Sequence, residues 1–387
     1  MRGARSVRLA VAATLAGALV VAGTASDAFD GGAGRLRAAV DDVRGYGMTG
    51  VQGLTDVDGR LTMARAGVAS LATGTPVPVN GYFRMGSDTK TFVAVVLLQL
   101  VGEGRLSLDD AVERWLPGVV AGNGNDGRKI TVRELLQHTS GIANYTAELT
   151  MLATADGFQA HRFDHHDAAD LVALAMKQPP LFAPGTSWSY SNTNYVLAGM
   201  IINRVTGHSW AREVHDRILA PLHLNHTYVP GDEPTLRNPH ADGYNQFAPG
   251  EPLVDTTLFN AAAADAAGAM VTTPTDLARF WQALQGGRLL APAQMAQMHQ
   301  TVPQTDLVAQ AFPGARYGLG ITSIQDSCGG YWAHPGDVPG MSTLNGVSPD
   351  GKRVVVLSMS SELADQASEV STRQRAQKLI DDTLCQR

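Results

Sequence analysis

The sequence predicts an α/β protein of the α+β kind, with an antiparallel sheet built from both ends of the chain. Two groups of strand-like segments lead to this prediction. The first is the pair 47–57 and 60–69, joined by Asp58-Gly59, a hairpin turn signal. The second is the set 317–324, 330–333, 341–348 and 353–360, whose last turn contains Pro349-Asp350-Gly351. Short turns between neighbouring strands favour antiparallel pairing over repeated βαβ units.

The chain between these groups reads mostly as helices. The segments are 132–137, 168–176, 194–205 and 210–219, with further helices near the ends of the chain at 36–43 and 369–384. We therefore predict a sheet domain from residues 30–115 and 260–387, and an inserted, mainly helical domain from residues 116–259. A cleft between two such regions is a natural place for a ligand.

Composition and charge narrow the classes of function. The 387 residues include 44% hydrophobic and 17% charged residues, which is an ordinary globular mixture. The formal net charge is −6, so we expect no general electrostatic attraction to nucleic acid.

Three segments are similar to known binding-site motifs, but we interpret each of them as an ordinary structural feature. The G-x-G-x-x-G match at 45–50 follows a helix and precedes a strand, which reverses the order of a dinucleotide site. The segment 207–211, close to G-x-S-x-G, joins two helices, with Gly207 ending one and Ser209 capping the next. The polar run of His161, Asp164, His165, His166 and Asp167 lacks H-E-x-x-H and reads as a solvated loop. We predict neither a cofactor nor a metal.

The first 25 residues read as an export signal. Arg2, Arg5 and Arg8 precede an apolar stretch at 9–21, and Gly23 and Ala25 suit a cleavage site. We predict a signal peptide at 1–25 and a secreted, extracellular protein without a stable membrane anchor; the alternative is an uncleaved anchor. Outside the cell the two cysteines, Cys328 and Cys385, could form a disulfide, and two free thiols are the alternative.

A serine precedes a lysine by three residues at the start of a strongly apolar helix. The predicted helix spans 89–101, and Ser87 lies at its N-terminus, where free N–H groups favour an anion such as an oxyanion. Residues i and i+3 share a helix face, so the Lys90 amine can reach Ser87 Oγ. Burial should lower the pKa of the lysine and make it a usable base. The alternative is a capping serine beside a snorkelling lysine.

Two further pieces add polar groups to the same picture. Tyr190 and Asn192, one residue apart at a helix start, can face one cleft, where tyrosine can relay a proton and asparagine can orient an amide. Their alternative is a helix cap beside a packed tyrosine. The segment His334-Pro335-Gly336-Asp337 lies near a strand start, where small residues let the backbone approach a ligand.

Taken in order, these pieces resemble the serine β-lactamase and penicillin-binding protein family, in its class C and streptomycete-type D-Ala-D-Ala carboxypeptidase branch. Supporting stretches are 104–110, 130–136, 138–141, 190–195, 268–274 and 317–320. The resemblance covers about residues 30–385 and implies a β-lactamase/transpeptidase-like fold.

The resemblance also implies roles for individual residues. Ser87 would be the nucleophile, Lys90 and Tyr190 the proton-transfer pair, and Asn192 a substrate-orienting residue. His334 would supply electrostatic help, and the backbone N–H groups of Ser87 and Asp337 would form the oxyanion hole. Gly336 and Asp337 belong to the substrate-binding strand. A Cys328–Cys385 disulfide would be a further feature that resembles that branch.

Four departures from the family pattern make us expect a different substrate. The segment 334–337 corresponds to the third motif of this family. Pro335 stands where that motif usually has threonine, and Asp337 adds a negative charge. No arginine follows the stretch 317–320 to grip a substrate carboxylate, and the segment 260–267 is nearly all alanine.

We predict a serine acyl hydrolase with an acyl-enzyme on Ser87, and the nearest label is D-Ala-D-Ala carboxypeptidase. The alternatives are an esterase or D-aminopeptidase of the same fold, since Asp337 could pair with an ammonium, or a non-catalytic module that binds cell-wall peptides. The expected partners are small peptide, amide or ester substrates, with peptidoglycan peptides and β-lactams among the candidates. The oligomeric state is left open.

Overall fold

The structure is a computed structural model that describes residues 24–385, with side chains from residue 32 onward. The predicted signal peptide at 1–25 lies outside the described residues, apart from its last two positions, where the first helix begins. None of the helices among the described residues is long and apolar enough to cross a bilayer.

The strands number sixteen in the described part of the chain. They are β1 Gly50–Val57, β2 Arg60–Gly67, β3 Phe83–Arg84, β4 Ala121–Gly122, β5 Asn125–Asp126, β6 Tyr244–Asn245, β7 Val254–Asp255, β8 Val271–Thr272, β9 Val302–Pro303, β10 Arg316–Tyr317, β11 Thr322–Ile324, β12 Tyr331–Ala333, β13 Gly336–Val338, β14 Met341–Val347, β15 Arg353–Met359 and β16 Ser361–Glu362.

The α-helices number thirteen over the same residues. They are α1 Thr24–Arg44, α2 Thr89–Gly102, α3 Val112–Trp115, α4 Val132–Gln137, α5 Ala155–His161, α6 Ala168–Met176, α7 Asn192–Thr206, α8 Trp210–Val214, α9 Asp265–Gly268, α10 Pro274–Gln285, α11 Pro292–Met298, α12 Leu307–Ala311 and α13 Gln366–Leu384. Short 3-10 turns and one π-helical turn, His215–Leu219, connect some of them.

One large antiparallel sheet joins the two ends of the chain. Its strand order is β2-β1-β15-β14-β12-β11-β10-β9, and β13 pairs with β14 beside that path. The β1–β2 hairpin turns at Asp58 and Gly59, whose φ values of 52° and 83° fit the left-handed turn that matches strand twist. Mixed helices and an antiparallel sheet confirm the predicted fold class, whereas the division into domains at 116 and 259 stays a prediction.

The sheet separates two apolar layers. On one face α1 and α13 pack together, with Leu36, Val40 and Ile380 facing Leu344 and Leu357 of the sheet. On the other face lies the main core, which includes α10 and helix α2, buried from Thr89 to Leu98 and again at Leu100. Because α2 is buried over most of its length, the residues that precede it are held firmly against the sheet.

Several predicted elements are confirmed closely and one is wrong. The helices predicted at 132–137 and 168–176 match α4 and α6. The continuous strand predicted at 317–324 is instead two strands, β10 and β11, which pair antiparallel with Tyr317 opposite Thr322. The chain reverses because Gly320 takes a φ of 74° and the Gly318 amide donates to the Ile321 carbonyl at 2.7 Å.

The structural interpretations of the three imitation motifs are confirmed. Helix α1 ends at Arg44 and β1 starts at Gly50, so the G-x-G-x-x-G match links helix to strand. Gly207 ends α7 with a φ of 78°, and Ser209 caps α8 by accepting a hydrogen bond from the Arg212 amide at 3.2 Å. The exposed His161, the last residue of α5, pairs with Asp164 in the loop that follows.

Candidate active site

The serine singled out in the sequence lies in a tight turn at the junction of sheet and helices. Ser87 is the middle residue of the 3-10 turn Gly86–Asp88, here called the nucleophile turn, which runs directly into α2. Gly86 has a φ of 55°, in the left-handed region that glycine tolerates best. The serine side chain is half-buried, while Asp88 and Lys90 beside it are fully buried.

Lys90 is held by three polar contacts. Its Nζ lies 3.0 Å from Ser87 Oγ, 2.7 Å from Asn192 Oδ1 and 2.6 Å from the Ala267 carbonyl oxygen. The amide and carbonyl oxygens can only accept, so they take two of the amine's hydrogens. A neutral amine then has its lone pair left for the hydroxyl of Ser87. The geometry therefore suits proton transfer from Ser87 to Lys90.

Burial favours the neutral form of this amine. Desolvation lowers the pKa of Lys90 well below its ordinary value of 10.5, and the negative charge of Asp337 opposes that shift only in part. The Lys90 Nζ also lies 4.8 Å from the centre of the Tyr190 ring. A buried lysine with a lowered pKa, next to a serine, can act as a general base.

Tyr190 and Asn192 reach the nucleophile turn from the start of α7. Ser191 is the N-cap of this helix, which places the residues on either side of it towards the same region. Desolvation raises the pKa of Tyr190 well above its ordinary value, and a hydrogen bond with Ser87 only partly offsets this. The phenol therefore stays protonated near neutral pH and can donate a proton. Because Asn192 turns its Oδ1 to Lys90, its NH₂ group points elsewhere.

His334 is uncharged in this site. It is buried, its Nδ1 lies 2.7 Å from the Pro335 carbonyl oxygen, and its Nε2 lies 2.8 Å from the Tyr317 hydroxyl. Since a carbonyl only accepts, Nδ1 carries the hydrogen and Nε2 accepts from Tyr317. Burial lowers the pKa of His334 to about 3. Any electrostatic help from His334 must therefore come from a neutral imidazole rather than from a cation.

Strand β13 lies directly against the nucleophile turn. A methyl group at Gly336 would lie 1.9 Å from the Met85 carbonyl oxygen and 3.0 Å from the Ser87 amide nitrogen. A methyl group at Gly86 would lie 2.7 Å from the Asp337 amide nitrogen. The two amides expected to form an oxyanion hole, those of Ser87 and Asp337, thus belong to adjoining backbone segments.

Replacing Gly336 by alanine should separate these two segments. Both close neighbours are backbone atoms, so β13 or the nucleophile turn has to move, and a shift of about 1 Å costs about 10²-fold in rate. We expect kcat to fall by about that factor while the protein stays folded. Gly102→Ala is the matched control, because its nearest contact is the end of the Gln294 side chain at 3.2 Å. Full activity of Gly336→Ala would contradict the proposed oxyanion geometry.

Asp337 is already part of an ion pair. Its Oδ2 accepts a hydrogen bond from Arg373 Nη2 at 2.9 Å, and its Oδ1 accepts one from the Ser342 hydroxyl at 2.6 Å. Arg373 lies on α13 and also contacts Glu369 at 3.5 Å. The charge of Asp337 contributes to a raised pKa at Glu369 and at Glu362, after burial in each case. One guanidinium therefore interacts electrostatically with three carboxyl groups at this end of the cleft, those of Asp337, Glu369 and Glu362.

A buried asparagine, unnoticed in the sequence, ties the nucleophile turn to His334. The Asn345 side chain donates to Asp88 Oδ1 at 2.7 Å and to the His334 carbonyl at 2.9 Å, and it accepts from the His334 amide at 3.0 Å. Desolvation raises the pKa of Asp88 well above its ordinary value. Asn345 therefore positions the nucleophile turn relative to His334.

The structure brings together Ser87, Lys90, Tyr190, Asn192, His334, Gly336 and Asp337, the residues predicted for catalysis and substrate binding. Sequence reasoning missed Tyr317, Asn345 and Arg373. Tyr317 stood in a stretch quoted for the resemblance, and Arg373 follows Glu369 at helical i,i+4 spacing. Such a pair usually marks a solvated helix face, so nothing in the sequence indicated that this one is buried.

A disulfide joins Cys328 to Cys385 at the end of α13, the helix that carries Glu369 and Arg373. It closes a loop of 57 residues, for which the chain-entropy estimate is about 4 kcal/mol of stabilisation. We expect the double variant Cys328→Ser, Cys385→Ser to unfold at a lower urea concentration, and dithiothreitol to lower the wild-type midpoint towards it. Equal midpoints for the variant and the oxidised wild type would contradict this expectation.

These features define a class of protein. A half-buried serine beside a buried amine whose pKa is lowered, a protonated tyrosine and two adjoining backbone amides suits acyl transfer through a covalent intermediate. The fold places this group between an antiparallel sheet and a helical layer. The protein has the β-lactamase fold, with a site suited to this chemistry.

The chain belongs to the β-lactamase family, whose sequence profile matches residues 36–379. It is similar to a D-stereospecific amidohydrolase from Streptomyces sp., with 38% identity, a TM-score of 0.80 and coverage of 88% of this chain and 98% of that one. It is also similar to the D-amino acid amidase of Ochrobactrum anthropi SV3 in complex with D-phenylalanine, with 27% identity, a TM-score of 0.78 and coverage of 89% and 97%.

Among curated proteins, penicillin-binding protein 4 of Amycolatopsis lactamdurans is 29% identical over 253 residues, which is 64% of each chain. The alignments cover only 34% to 64% of the length of the first curated relatives. The resemblance to the serine β-lactamase and penicillin-binding protein family is confirmed.

Proposed function

We propose that this protein is a serine amidohydrolase for amides whose acyl residue carries a free ammonium group, D-amino acid amides above all. The observation that carries the proposal is the exposed carboxylate of Asp337 next to the nucleophile turn, in a group where three carboxyl groups share one arginine. A carboxylate on the solvent side of a buried guanidinium can attract a cation. Likeness to two D-specific amide hydrolases supports the D configuration.

The proposed reaction begins with Ser87. Its Oγ attacks the amide carbonyl while its proton passes to Lys90, and the N–H groups of Ser87 and Asp337 hold the oxyanion. As the C–N bond breaks, Lys90 and Tyr190 return the proton to the nitrogen, and ammonia or an amine leaves. Water then attacks the acyl-serine ester, its proton passes through the same pair to Ser87 Oγ, and the free acid departs.

The carboxypeptidase label is less well supported by the same geometry. A substrate with a C-terminal carboxylate would bring a negative charge towards Asp337, and the arginine nearest to the strand is already paired with that residue. Like charges in a partly desolvated cleft repel. The ammonia that leaves from a primary amide carries no negative charge and avoids this repulsion.

The test compares substrates that differ only in charge. We expect kcat/KM for D-phenylalanine amide to exceed that for N-acetyl-D-phenylalanine amide by at least about 10-fold, the value of a modest charge-assisted hydrogen bond. Asp337→Asn should reduce this preference, and Ser87→Ala should abolish turnover.

Equal turnover of the acetylated amide would contradict ammonium recognition, and selective release of D-Ala from N-acetyl-D-Ala-D-Ala would favour the carboxypeptidase. A preference for p-nitrophenyl esters over amides would favour an esterase. No fluorophosphonate label on Ser87 would favour the non-catalytic module.

We also propose that the protein acts outside the cytoplasm. The Cys328–Cys385 disulfide supports this, because disulfides persist in oxidising compartments. The export signal predicted at 1–25 agrees with it. Recovery of the protein from the culture medium, with an N-terminus near residue 26, is the expected result, and retention in the cytosol would contradict it.

A further inference from the structure

The ion pair between Asp337 and Arg373 has a particular arrangement in the cleft. The Asp337 side chain is 37% exposed, whereas that of Arg373 is 3% exposed. The aspartate therefore lies between the guanidinium and solvent. It is supplied by β13, the strand whose Gly336 lies against the Ser87 amide, so the arginine of α13 reaches this strand.

The guanidinium has unused hydrogen-bonding capacity. Its Nη2 donates to Asp337 and Glu369, but in the described residues its Nε and Nη1 are buried without a partner. Unpaired buried donors cost free energy. Arginine is also the side chain best shaped to hold a carboxylate by two parallel hydrogen bonds. The carboxylate of Asp337 now holds the position that faces the cleft.

A substrate carboxylate could occupy that position if Asp337 were absent. The amide of Asp337 is the proposed partner of the scissile carbonyl oxygen, and its side chain starts from the same residue. The terminal carboxylate of a peptide's leaving residue lies about one residue, roughly 3.8 Å, from the scissile bond.

We infer that Arg373 is a masked carboxylate-binding group, and that Asp337 excludes D-peptides with a free C-terminal carboxylate by occupying it. Asp337 is thus a specificity determinant with two effects, since it offers a carboxylate to an ammonium and withholds the arginine from a carboxylate. The inference extends the proposed function at the same site. It does not require that function, because it concerns only which ligand the arginine accepts.

Binding of matched ligands tests this without relying on catalysis. The probes are N-acetyl-D-Ala-D-Ala and its C-terminal amide, titrated calorimetrically into protein with Ser87→Ala as background. With Asp337→Ser added, we expect the acid to bind at least 10-fold more tightly than the amide. Asp337→Asn should leave the preference near that of the background, because the asparagine oxygen can still accept from Arg373. Glu251→Gln, an exposed change elsewhere, controls for net charge.

Each result has a defined meaning. A preference for the acid with Asp337→Ser, but not with Asp337→Asn or Glu251→Gln, supports the masked arginine even if D-phenylalanine amide proves not to be a substrate. Equal binding of acid and amide by folded Asp337→Ser protein overturns it. If that variant does not fold, Asp337→Thr takes its place with the same criterion, and unchanged preference in folded Asp337→Thr likewise overturns the inference.

Discussion

Replacing Lys90 by methionine is expected to lower kcat by about 10²–10⁴-fold, the usual contribution of a general base. Methionine keeps the apolar stem inside the core but has no lone pair to take the Ser87 proton across the 3.0 Å contact. Lys90→Arg should fail as well, because a guanidinium cannot be deprotonated in proteins. The measurement is steady-state kinetics on D-phenylalanine amide, with far-ultraviolet circular dichroism to verify folding.

The pH profile of the wild type provides a second measurement on Lys90. The amine must be neutral to accept a proton, so kcat/KM should rise with pH through the pKa of Lys90, which burial places well below 10.5. His334, with a pKa of about 3, should contribute nothing to this rise above pH 5.

The matched control for Lys90→Met is Lys129→Met, at an exposed lysine, which should leave the rate unchanged. A Lys90→Met enzyme within 10-fold of wild type would rule out Lys90 as the base.

Replacing Arg373 by methionine is expected to destabilise the protein by about 3 kcal/mol, the lower end of the cost of breaking a buried ion pair. The lower end applies because Asp337 is partly exposed, although Glu369 and Glu362 also lose their cation. The measurement is the free energy of unfolding from urea titration followed by tryptophan fluorescence. The deficit should shrink as pH falls, because protonation of the unpaired carboxylates removes the repulsion between them.

The matched control lies one turn further along the same helix. Lys378 is exposed and pairs with Asp382 at i,i+4, so Lys378→Met should cost at most about 0.5 kcal/mol. Adding Asp337→Ser to Arg373→Met should restore part of the lost stability, because one unpaired carboxylate is removed. If Arg373→Met and Lys378→Met were equally stable, the buried ion pair would not be a stabilising feature of this cleft.

The elements that could be predicted are those whose signal is local. The β1–β2 hairpin follows from Asp58-Gly59, and helix α4 follows from a capping box between Thr131 and Glu134. The split of 317–324 into β10 and β11 was not predictable in the same way. Its reversal combines a local cause, the left-handed Gly320, with a distant contact, since the Leu319 amide bonds to the Met298 carbonyl at 3.0 Å.

The same distinction holds in the site. Ser87 and Lys90 are three residues apart on one helix start, so helical geometry alone brings them together. The contacts that position Lys90, with Asn192 and the Ala267 carbonyl, join residues distant in the chain, and the burial that lowers the pKa of Lys90 likewise arises only through packing.

By itself the sequence determined the fold class and the Ser87–Lys90 pair, because periodicity, capping and short spacing are local properties, and its family resemblance marked Asp337 as an unusual acid. Only the tertiary structure decided what those residues are. It made His334 a neutral acceptor by burial against Tyr317, and it paired Asp337 with Arg373 from the last helix. Protonation and ion pairing depend on desolvation and on neighbours far away in sequence, and these arise only when the chain is packed.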